Sequence, residues 1–398
     1  MTQPDKDSPS PEWISSLRAR FVTEREVDNA LTRKLENRSG PGYQPVPLDE
    51  LVDGVSALIR SNGDSSFEIA DAYWLPGGAS KLQMAFTVRW NQSDATSEPS
   101  RMVLRTETAE SLHTTSRRRE FELLSALNGV IPVPTAYWVD HDATHLPYPG
   151  LVTEFADGVS KPTDTQSGVS GLGTRLPPAL REKLAPQFVE RLARLHTFDF
   201  RAENLRTFDI PDAGRQNAIW AINWWDRVWE EDADEDVPLV ALASAWLRKN
   251  APAVDQLSVV HGDYRTGNYL FTEHDSRINA WLDWELARIG DRHQDLAWST
   301  SNAFATYDEN GRNLLVSGLL TEEEFFEAYE RASGLSVDQK SVHYYKVFNA
   351  YAMVVMTLAT SYRVARNGKS HQDVLLSWLL GVGYMLMDDM RRLIENGS

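Results

Sequence analysis

Residues 261–268 read His-Gly-Asp-Tyr-Arg-Thr-Gly-Asn, and no other segment of the chain is as informative about its chemistry. Residues 269–271 and 278–282 follow as two short apolar runs on either side of a polar turn, the pattern of a β-hairpin. The second run leads into Leu-Asp-Trp-Glu, so that Asp283 stands at the end of the second strand. We therefore expect the hairpin to return Asp283 to the side of Asn268.

This spacing, His-x-Asp-x-x-x-x-Asn followed by a strand that ends in Asp, is typical of kinase-like phosphoryl transfer. Asp263 is the predicted catalytic base, because a hydroxyl is a poor nucleophile and a positioned carboxylate can orient it and accept its proton. Asn268 and Asp283 are the predicted metal ligands, since Mg2+ prefers hard oxygen donors and few protein contacts. His261 is expected to brace the loop by hydrogen bonding. The alternative interpretation is a polar turn with a satisfied histidine and two acids at the ends of a hairpin.

The composition is that of an ordinary globular protein of 398 residues, with 42% hydrophobic and 24% charged residues. This length suits one bilobal enzyme or a few small domains. The N-terminus lacks a basic region followed by an apolar run, and no apolar stretch is long enough for a bilayer, so we expect neither a secretory signal nor a membrane span. The absence of cysteine excludes disulfides, thiolate metal sites and a cysteine nucleophile, and it agrees with a cytoplasmic location.

The formal net charge of −17 at pH 7 repels nucleic acid and anionic membranes, so neither is an expected partner. The same charge repels a nucleotide such as ATP at long range. Any nucleotide site must therefore supply its own metal ion and local cations. Solubility alone is the simpler explanation of this charge, and nothing in the sequence indicates an oligomeric state.

Composition and periodicity divide the chain into three regions. Residues 1–62 are expected to be a loose polar tail followed by helices, with one helix over residues 11–35 and another over residues 48–58. Residues 63–156 contain several β-forming stretches and are expected to form a small antiparallel sheet with one helix. Residues 157–398 are expected to be mostly helical. The predicted fold class is α+β, with a small sheet lobe and a larger helical lobe.

Two segments, residues 259–271 and 280–298, resemble the catalytic loop and the metal-binding segment of the aminoglycoside phosphotransferase and choline kinase family. The resemblance is greatest to the branch that includes kinase domains fused to acyl-CoA dehydrogenases in animals, and it covers residues 65–390. It implies a bilobal protein-kinase-like fold, ATP and Mg2+ as cofactors, and a hydroxyl of a small molecule as the acceptor.

The resemblance also implies roles for single residues of the larger lobe. Asp263 would be the base, and Asn268 and Asp283 would bind the metal ion. Asp291 and Asp295 match acids that brace the catalytic loop in the family, although a helix cap and a surface acid would explain them equally well.

The smaller lobe follows the family pattern less closely. Gly77, Gly78 and Ser80 stand where the family has a loop of the Gly-Gly-x-Ser-Asn type, whose backbone N–H groups and serine hydroxyl can approach phosphates. Lys81 replaces the usual Asn of that loop. Contact between Lys81 and a phosphate is therefore an open alternative.

Four further residues of the smaller lobe are expected to bind the nucleotide. Arg105 occupies the position of the cation that pairs with ATP phosphates, and a guanidinium can hold phosphate bidentately. Glu120 is its expected ion-pair partner from the next helix, with an exposed helical charge as the alternative. Glu154 and Ala156 fall at the expected hinge between the lobes, where backbone groups would bind adenine.

The acceptor site is less clearly marked. Four tryptophans crowd one helical segment, and some are expected to line an aromatic substrate pocket unless they only pack the core: Trp220, Trp224, Trp225 and Trp229. A CoA-type acceptor would need basic residues near the cleft, for which three residues are loose candidates: Arg363, Arg366 and Lys369.

The leading hypothesis is a Mg-ATP-dependent kinase for a small hydroxylated metabolite such as a hydroxyacyl-CoA. The first alternative is an O-phosphotransferase that inactivates an antibiotic or another xenobiotic, since a negatively charged protein suits a polycationic drug. The second is a nucleotide-binding pseudokinase, although Asp263, Asn268 and Asp283 are all present. A kinase for polypeptides is least favoured, because no Asp-Phe-Gly or Ala-Pro-Glu segment follows Asp283.

Overall fold

Two main hydrophobic cores organise the chain, one beneath a small sheet and a larger one among helices. The computed structural model describes residues 4–64, 66–75, 81–90, 98–163 and 173–397. Within these ranges, no helix combines the length and the apolar character that crossing a bilayer requires. An antiparallel sheet and a mostly helical body form the two lobes, so the predicted α+β fold class is confirmed.

Three helices precede the sheet: α1 (Pro11–Arg20), α2 (Arg25–Asn37) and α3 (Leu48–Ser61). The prediction of a single helix over residues 11–35 is wrong, because two helices, α1 and α2, occupy this stretch. The first helix ends at Arg20, because the backbone of the next residue, Phe21, has a φ of −114° and a ψ of 66°, outside the helical region.

The N-terminal region is divided between the two lobes. Lys34 of α2 forms a buried ion pair with Glu231 of the large lobe, with 2.7 Å between Nζ and Oε2. Helix α3 packs against the sheet through residues that include Leu51. The loose tail expected at the start does not extend to Asp7, whose carboxylate lies 2.5 Å from a guanidinium nitrogen of Arg363.

The small lobe is built on five antiparallel strands: β1 (Phe67–Trp74), β2 (Leu82–Trp90), β3 (Ser100–Thr106), β4 (Ala136–Asp140) and β5 (Gly150–Glu154). Their order in the sheet is β1-β2-β3-β5-β4. Strand β2 buries Met84, Phe86 and Val88 on one face, because alternate side chains of a strand point to the same side. Helix α4 (Arg117–Leu127) lies between β3 and β4 in the chain and contacts β4 and β5.

The large lobe is mostly helical. Its helices are α5 (Pro178–His196), α6 (Gln216–Asp232), α7 (Pro238–Asn250), α8 (His293–Ser299), α9 (Glu322–Ser333), α10 (Gln339–Val355), α11 (Ser361–Arg366) and α12 (Asp373–Asn396). A π-helical turn, Met356–Thr360, joins α10 to α11. Its short strands are β6 (Leu257–Val260), β7 (Tyr269–Thr272), β8 (Arg277–Trp281), β9 (Arg288–Asp291), β10 (Thr306–Tyr307) and β11 (Leu314–Leu315).

The hairpin expected from the sequence is formed by β7 and β8, and β6 pairs with β9 beside it. Tyr269 pairs with Trp281 in the hairpin, and the N–H of Leu282 donates to the carbonyl of Asn268 over 2.8 Å. The ring of Tyr264 stacks on Trp281, with centroids 3.9 Å apart. These contacts bring the end of β8 beside the end of the loop that precedes β7.

Candidate active site

A buried carboxylate holds the backbone of the loop between β6 and β7. Asp295 of α8 accepts hydrogen bonds from the N–H groups of His261 and Gly262, over 2.7 Å and 2.8 Å. Asp295 is fully buried, which excludes the alternative of a surface acid. Asp291 has a different environment, since its carboxylate accepts from the backbone and ring nitrogens of His293 at the start of α8.

Glycine is required at the start of this loop. The φ of Gly262 is +85°, in the left-handed region that side chains disfavour. A Cβ there would also lie 2.8 Å from both the Cβ and the carbonyl oxygen of Leu286. The loop and the turn after β8 are thus packed in direct contact.

Asp263, the predicted base, is oriented by three donors. Its Oδ1 accepts from Nε1 of Trp298 over 2.6 Å and from Nε of Arg265 over 2.8 Å. Its Oδ2 accepts from Nδ2 of Asn268 over 2.5 Å. The side chain remains 19% exposed, so a reacting group can still approach it.

His261 braces the loop from inside. Its Nε2 donates to the carbonyl of Leu282 over 3.0 Å, and its Nδ1 accepts from the N–H of Asp263 over 3.2 Å. Burial lowers the pKa of His261 below its ordinary value, because a charged imidazole would lose its hydration. The neutral ring therefore links the loop to the end of the hairpin.

The predicted metal ligands, Asn268 and Asp283, lie at the same end of the hairpin, where the N–H of Leu282 donates to the carbonyl of Asn268. Asp283 is 43% exposed and one of its oxygens, Oδ1, pairs with Arg105 over 2.5 Å. Among the described residues, no hydrogen bond reaches Oδ2 of Asp283 or the amide oxygen of Asn268. Two hard oxygen donors fit Mg2+, which takes one or two protein carboxylates and completes its shell with phosphate and water. No group of three or more His, Cys, Asp or Glu suited to a metal occurs in the described ranges.

Arg105, Glu120 and Asp283 form one ionic network at the cleft. Arg105 lies 2.7 Å from Glu120 through one guanidinium nitrogen and 2.5 Å from Asp283 through the other. Although burial opposes its charged form, Glu120 and Asp283 hold the pKa of Arg105 above its ordinary value. Glu120 is almost fully buried and also pairs with Arg117 over 2.5 Å, so it is not the exposed helical charge of the alternative interpretation.

A second ionic group lies behind the first. Glu285 lies 3.5 Å from Lys81, 2.8 Å from His113 and 3.4 Å from Arg117. Burial alone would raise the pKa of Glu285, but Lys81, the hydrogen bond with His113, and Arg117 hold it well below its ordinary value, with Lys81 the strongest of the three. The carboxylate is therefore a fixed negative charge two residues after Asp283.

A cavity of about 520 Å3 lies between the lobes. Its wall includes five of the predicted site residues: Arg105, Glu120, Glu154, Ala156 and Asp283. Apolar side chains from both lobes line the rest, among them Val103, Leu124, Leu270 and Trp284. Gly77, Gly78 and Ser80 lie outside the described residues.

The hinge residues stand at the edge of this cavity. The N–H of Glu154 donates to Thr135 over 2.8 Å, and the N–H of Phe155 donates to Arg101 over 3.0 Å. Within the described ranges, Ala156 is the first residue after β5 whose N–H makes no backbone hydrogen bond. The N–H of Ala156, unlike that of Phe155, is therefore available to a ligand at the hinge.

The prediction that Arg363, Arg366 and Lys369 could bind CoA is wrong, because all three side chains contact acids or carbonyl groups of this chain. Arg363 and Arg366 both pair with Asp234 and with Asp7 of the N-terminal segment. Lys369 donates to three backbone carbonyls, including that of Arg38 over 2.9 Å. These residues tie the start of the chain to the large lobe.

The tryptophan cluster divides between core packing and the neighbourhood of the loop. Trp224 and Trp225 are buried, with ring centroids 5.3 Å apart. Both line a gap of about 20 Å3 that also touches Gly262 and Trp298. A gap of that size holds at most a water molecule, so in this conformation these tryptophans pack the core.

Sequence reasoning missed Trp298 and Glu285 as contributors to the site, and it named Lys81 without its partner Glu285. Trp298 stands four residues after Gln294 in a helix, and no local pattern signals that its indole reaches Asp263. Glu285 did appear in the Leu-Asp-Trp-Glu segment. A second acidic residue so close to Asp283 was the one feature of the sequence that could have indicated a role for Glu285 in the site.

The chain matches a family model described as the phosphotransferase enzyme family over residues 83–335, more than half of its length. Human acyl-CoA dehydrogenase family member 11 is 27% identical over 270 residues, which cover 65% of this chain and 33% of that protein. The chain thus matches about a third of the length of this relative.

Solved structures share the fold at low sequence identity. A protein from Ralstonia eutropha whose structure carries the name of an aminoglycoside phosphotransferase has a TM-score of 0.59 and 19% identity, covering 86% of this chain and 98% of that chain. A thermostable mutant of aminoglycoside phosphotransferase APH(4)-Ia, in a complex with AMP-PNP and hygromycin B, has a TM-score of 0.50 and 16% identity, covering 85% and 97%. The chain belongs to the phosphotransferase enzyme family, has its kinase-like fold, and is a small-molecule kinase.

Proposed function

We propose that this protein transfers the terminal phosphoryl group of ATP to a hydroxyl of a small molecule, with Mg2+ as its metal ion and Asp263 as its base. The observation that carries the proposal is the contact of 2.5 Å between Asn268 and Asp263, next to the strand end that bears Asp283. The proposed base and the two proposed metal-binding oxygens would thereby lie at one end of one hairpin. This is the arrangement that in-line phosphoryl transfer requires.

Asp263 would orient the acceptor hydroxyl and accept its proton as the new P–O bond forms. Trp298, Arg265 and Asn268 hold the carboxylate in one orientation, so little reorganisation is needed when the acceptor arrives. The exposed part of Asp263 is the face on which the hydroxyl would bind.

Asn268 and Asp283 would hold Mg2+ through the amide oxygen and the second carboxylate oxygen. When bound, Mg2+ supplies positive charge to the phosphate oxygens. Arg105 already lies on the cavity wall beside Asp283, so its guanidinium would bind a phosphate without a large movement. The positive charge of Mg2+ and Arg105 would offset the repulsion between ATP and a protein of net charge −17.

The adenine ring would occupy the apolar part of the cavity near the hinge. Val103 from the small lobe and Leu270 from the large lobe both line this space, and Ala156 offers its backbone N–H. A nucleotide placed in this way has its phosphates directed towards Arg105 and Asp283. The AMP-PNP in the complex of the APH(4)-Ia mutant supports a nucleotide site in this fold.

For the acceptor, we propose a metabolic alcohol, with a hydroxyacyl-CoA as the first compound to test. The support is the match to acyl-CoA dehydrogenase family members. Because Arg363, Arg366 and Lys369 are used within the fold, the CoA phosphates would need other cations. The alternative is an antibiotic acceptor, which the hygromycin B in the complex of the APH(4)-Ia mutant supports.

A panel of acceptors tests the proposal. Hydroxyacyl-CoAs, free hydroxy acids, choline-like alcohols, aminoglycosides and macrolides are each incubated with the protein, Mg2+ and ATP, and ADP release is measured. We expect one class to raise ADP release above the basal rate, and the Asp263→Asn variant to lose that increase. Acceptor-dependent release that is equal in the variant would remove Asp263 as the base.

A further inference from the structure

Lys81 is a buried cation whose partners differ from those expected for a phosphate ligand. Its side chain is 1% exposed. Its Nζ donates to Oγ of Ser111 over 3.1 Å and to the carbonyl of His113 over 3.2 Å, and lies 3.5 Å from Oε2 of Glu285. The described wall of the cavity between the lobes does not include Lys81. Lys81 therefore faces a carboxylate rather than the space that a nucleotide would fill.

Three residues of the small lobe meet Glu285 of the large lobe: the cations Lys81 and Arg117 and the imidazole of His113. Lys81 immediately precedes β2, His113 lies between β3 and α4, and Arg117 begins α4, while Glu285 follows β8. The distances from Glu285 are 3.5 Å, 2.8 Å and 3.4 Å, respectively. Loss of one partner from a buried ionic contact leaves a charge without compensation, so the geometry of this group is strongly constrained.

Asp283 has a backbone conformation that needs such a constraint. Its φ of 60° and ψ of 53° lie in the left-handed region, which residues other than glycine rarely adopt. Such a conformation persists only where the surrounding structure holds it. On one side, Leu282 is held by Asn268, and on the other side Glu285 is held by Lys81 and Arg117.

We propose that Lys81 and Glu285 are positioning residues, whose buried ion pair ties the small lobe to the turn at Asp283 and keeps that carboxylate placed for Mg2+. The inference rests on the metal-binding role proposed above for Asp283. Lys81 acts through Glu285 and does not contact phosphate. Its removal should weaken the contribution of the metal to nucleotide binding, and should leave nucleotide binding without metal largely intact.

Calorimetric titration with ATP tests this without knowledge of the acceptor. The dissociation constant for ATP is measured in EDTA and in Mg2+, and the ratio of the two values is the metal-dependent gain. We expect Lys81→Met and Glu285→Gln each to reduce this gain by about 10-fold, the lower end of the effect of removing a partner that orients a metal ligand. The double variant should lose no more than the single ones, because both remove the same contact.

Lys34→Met is the matched control. Lys34 is also a buried lysine in an ion pair, 2.7 Å from Glu231, but it contacts α6 and not the cleft. This variant should lower the melting temperature and leave the metal-dependent gain unchanged. Asp283→Ala serves as the reference for complete loss of the gain.

The outcomes separate the possible failures. If Asp283→Ala abolishes the gain and Glu285→Gln leaves it intact, the positioning role is overturned and the proposed function survives. If Lys81→Met weakens ATP binding in EDTA as much as in Mg2+, Lys81 is a phosphate ligand and the inference is wrong. A full gain in Asp283→Ala would remove the metal-binding role itself. Should Lys81→Met not fold, Glu285→Gln decides alone, since the amide has almost the same size as the carboxylate.

Discussion

The indole Nε1 of Trp298 donates a hydrogen bond to Oδ1 of Asp263 over 2.6 Å. Trp298 stands three residues after Asp295 in α8, and Asp295 holds the backbone N–H groups at the start of the same loop. One short helix thus fixes both the backbone of the loop and the side chain of its central acid. The orientation of Asp263 is therefore set by α8 as well as by the loop itself.

Trp298→Phe removes this donor and keeps an aromatic ring in the same place. We expect kcat to fall by about 10-fold, because a hydrogen bond to a charged group contributes about 1.5 kcal/mol or more. The KM for ATP should not change, since Trp298 is not among the described residues that line the cavity between the lobes. Steady-state kinetics with varied ATP measure both quantities. An unchanged kcat would show that the indole has no part in orienting Asp263.

Asn268→Ala removes two interactions at once. The variant loses the amide oxygen proposed as a metal ligand and the Nδ2 donor that lies 2.5 Å from Asp263. We expect a lower kcat together with a higher Mg2+ requirement, whereas Asp283→Ala should change mainly the Mg2+ requirement. Rates measured over a range of Mg2+ concentrations separate the two patterns. A variant with the wild-type Mg2+ requirement would contradict the ligand role of Asn268.

Arg105→Met removes the cation that joins Glu120 to Asp283. We expect the KM for ATP to rise by about 10-fold, since a charge-assisted contact to phosphate is lost. Arg105→Lys is the matched control, because it keeps the charge but loses the two-armed geometry. Arg105→Lys should bind ATP more tightly than Arg105→Met and less tightly than the wild type. Equal ATP affinity in the wild type and in Arg105→Met would assign Arg105 to structure alone.

The sequence predicted those parts of the site that lie close together in the chain. The spacing from Asp263 to Asn268, with two apolar runs and a turn after it, was enough to predict the hairpin and the return of Asp283. The β-forming residues of residues 82–90 likewise indicated a strand, which the structure has as β2. In these segments the local sequence pattern and the tertiary structure favour the same conformation, so the conformation can be predicted from neighbouring residues alone.

The parts that could not be predicted depend on partners far apart in the chain. Lys81 follows a Gly-Ser stretch, which suggested phosphate, yet it pairs with Glu285 from the other lobe. Arg363 looked like a free cation and pairs with Asp7. The break at Phe21 was missed because apolar residues keep a helical spacing across it. Charge alone does not reveal which of many distant acids a cation will contact.

Acid should destabilise the protein through its buried histidines. Burial lowers the pKa of His196 and of His261 below the ordinary 6.5. Below pH 6.5 the unfolded chain takes up protons that these folded imidazoles do not, so the free energy of unfolding falls by up to about 1.4 kcal/mol per pH unit for each histidine. Urea unfolding at pH 7.5 and pH 5.5 measures this fall. Equal or greater stability at pH 5.5 would contradict it.

The most direct test of the account compares nucleotide binding with phosphoryl transfer in Asp263→Asn. The amide keeps the size of the side chain, and Asp263 is not among the described residues that line the cavity between the lobes. We predict that calorimetry finds Mg-ATP bound as tightly as in the wild type, while transfer to the acceptor falls by about 100-fold or more, the contribution of a positioned general base. Transfer at the wild-type rate would contradict the central claim that Asp263 accepts the proton of the attacking hydroxyl.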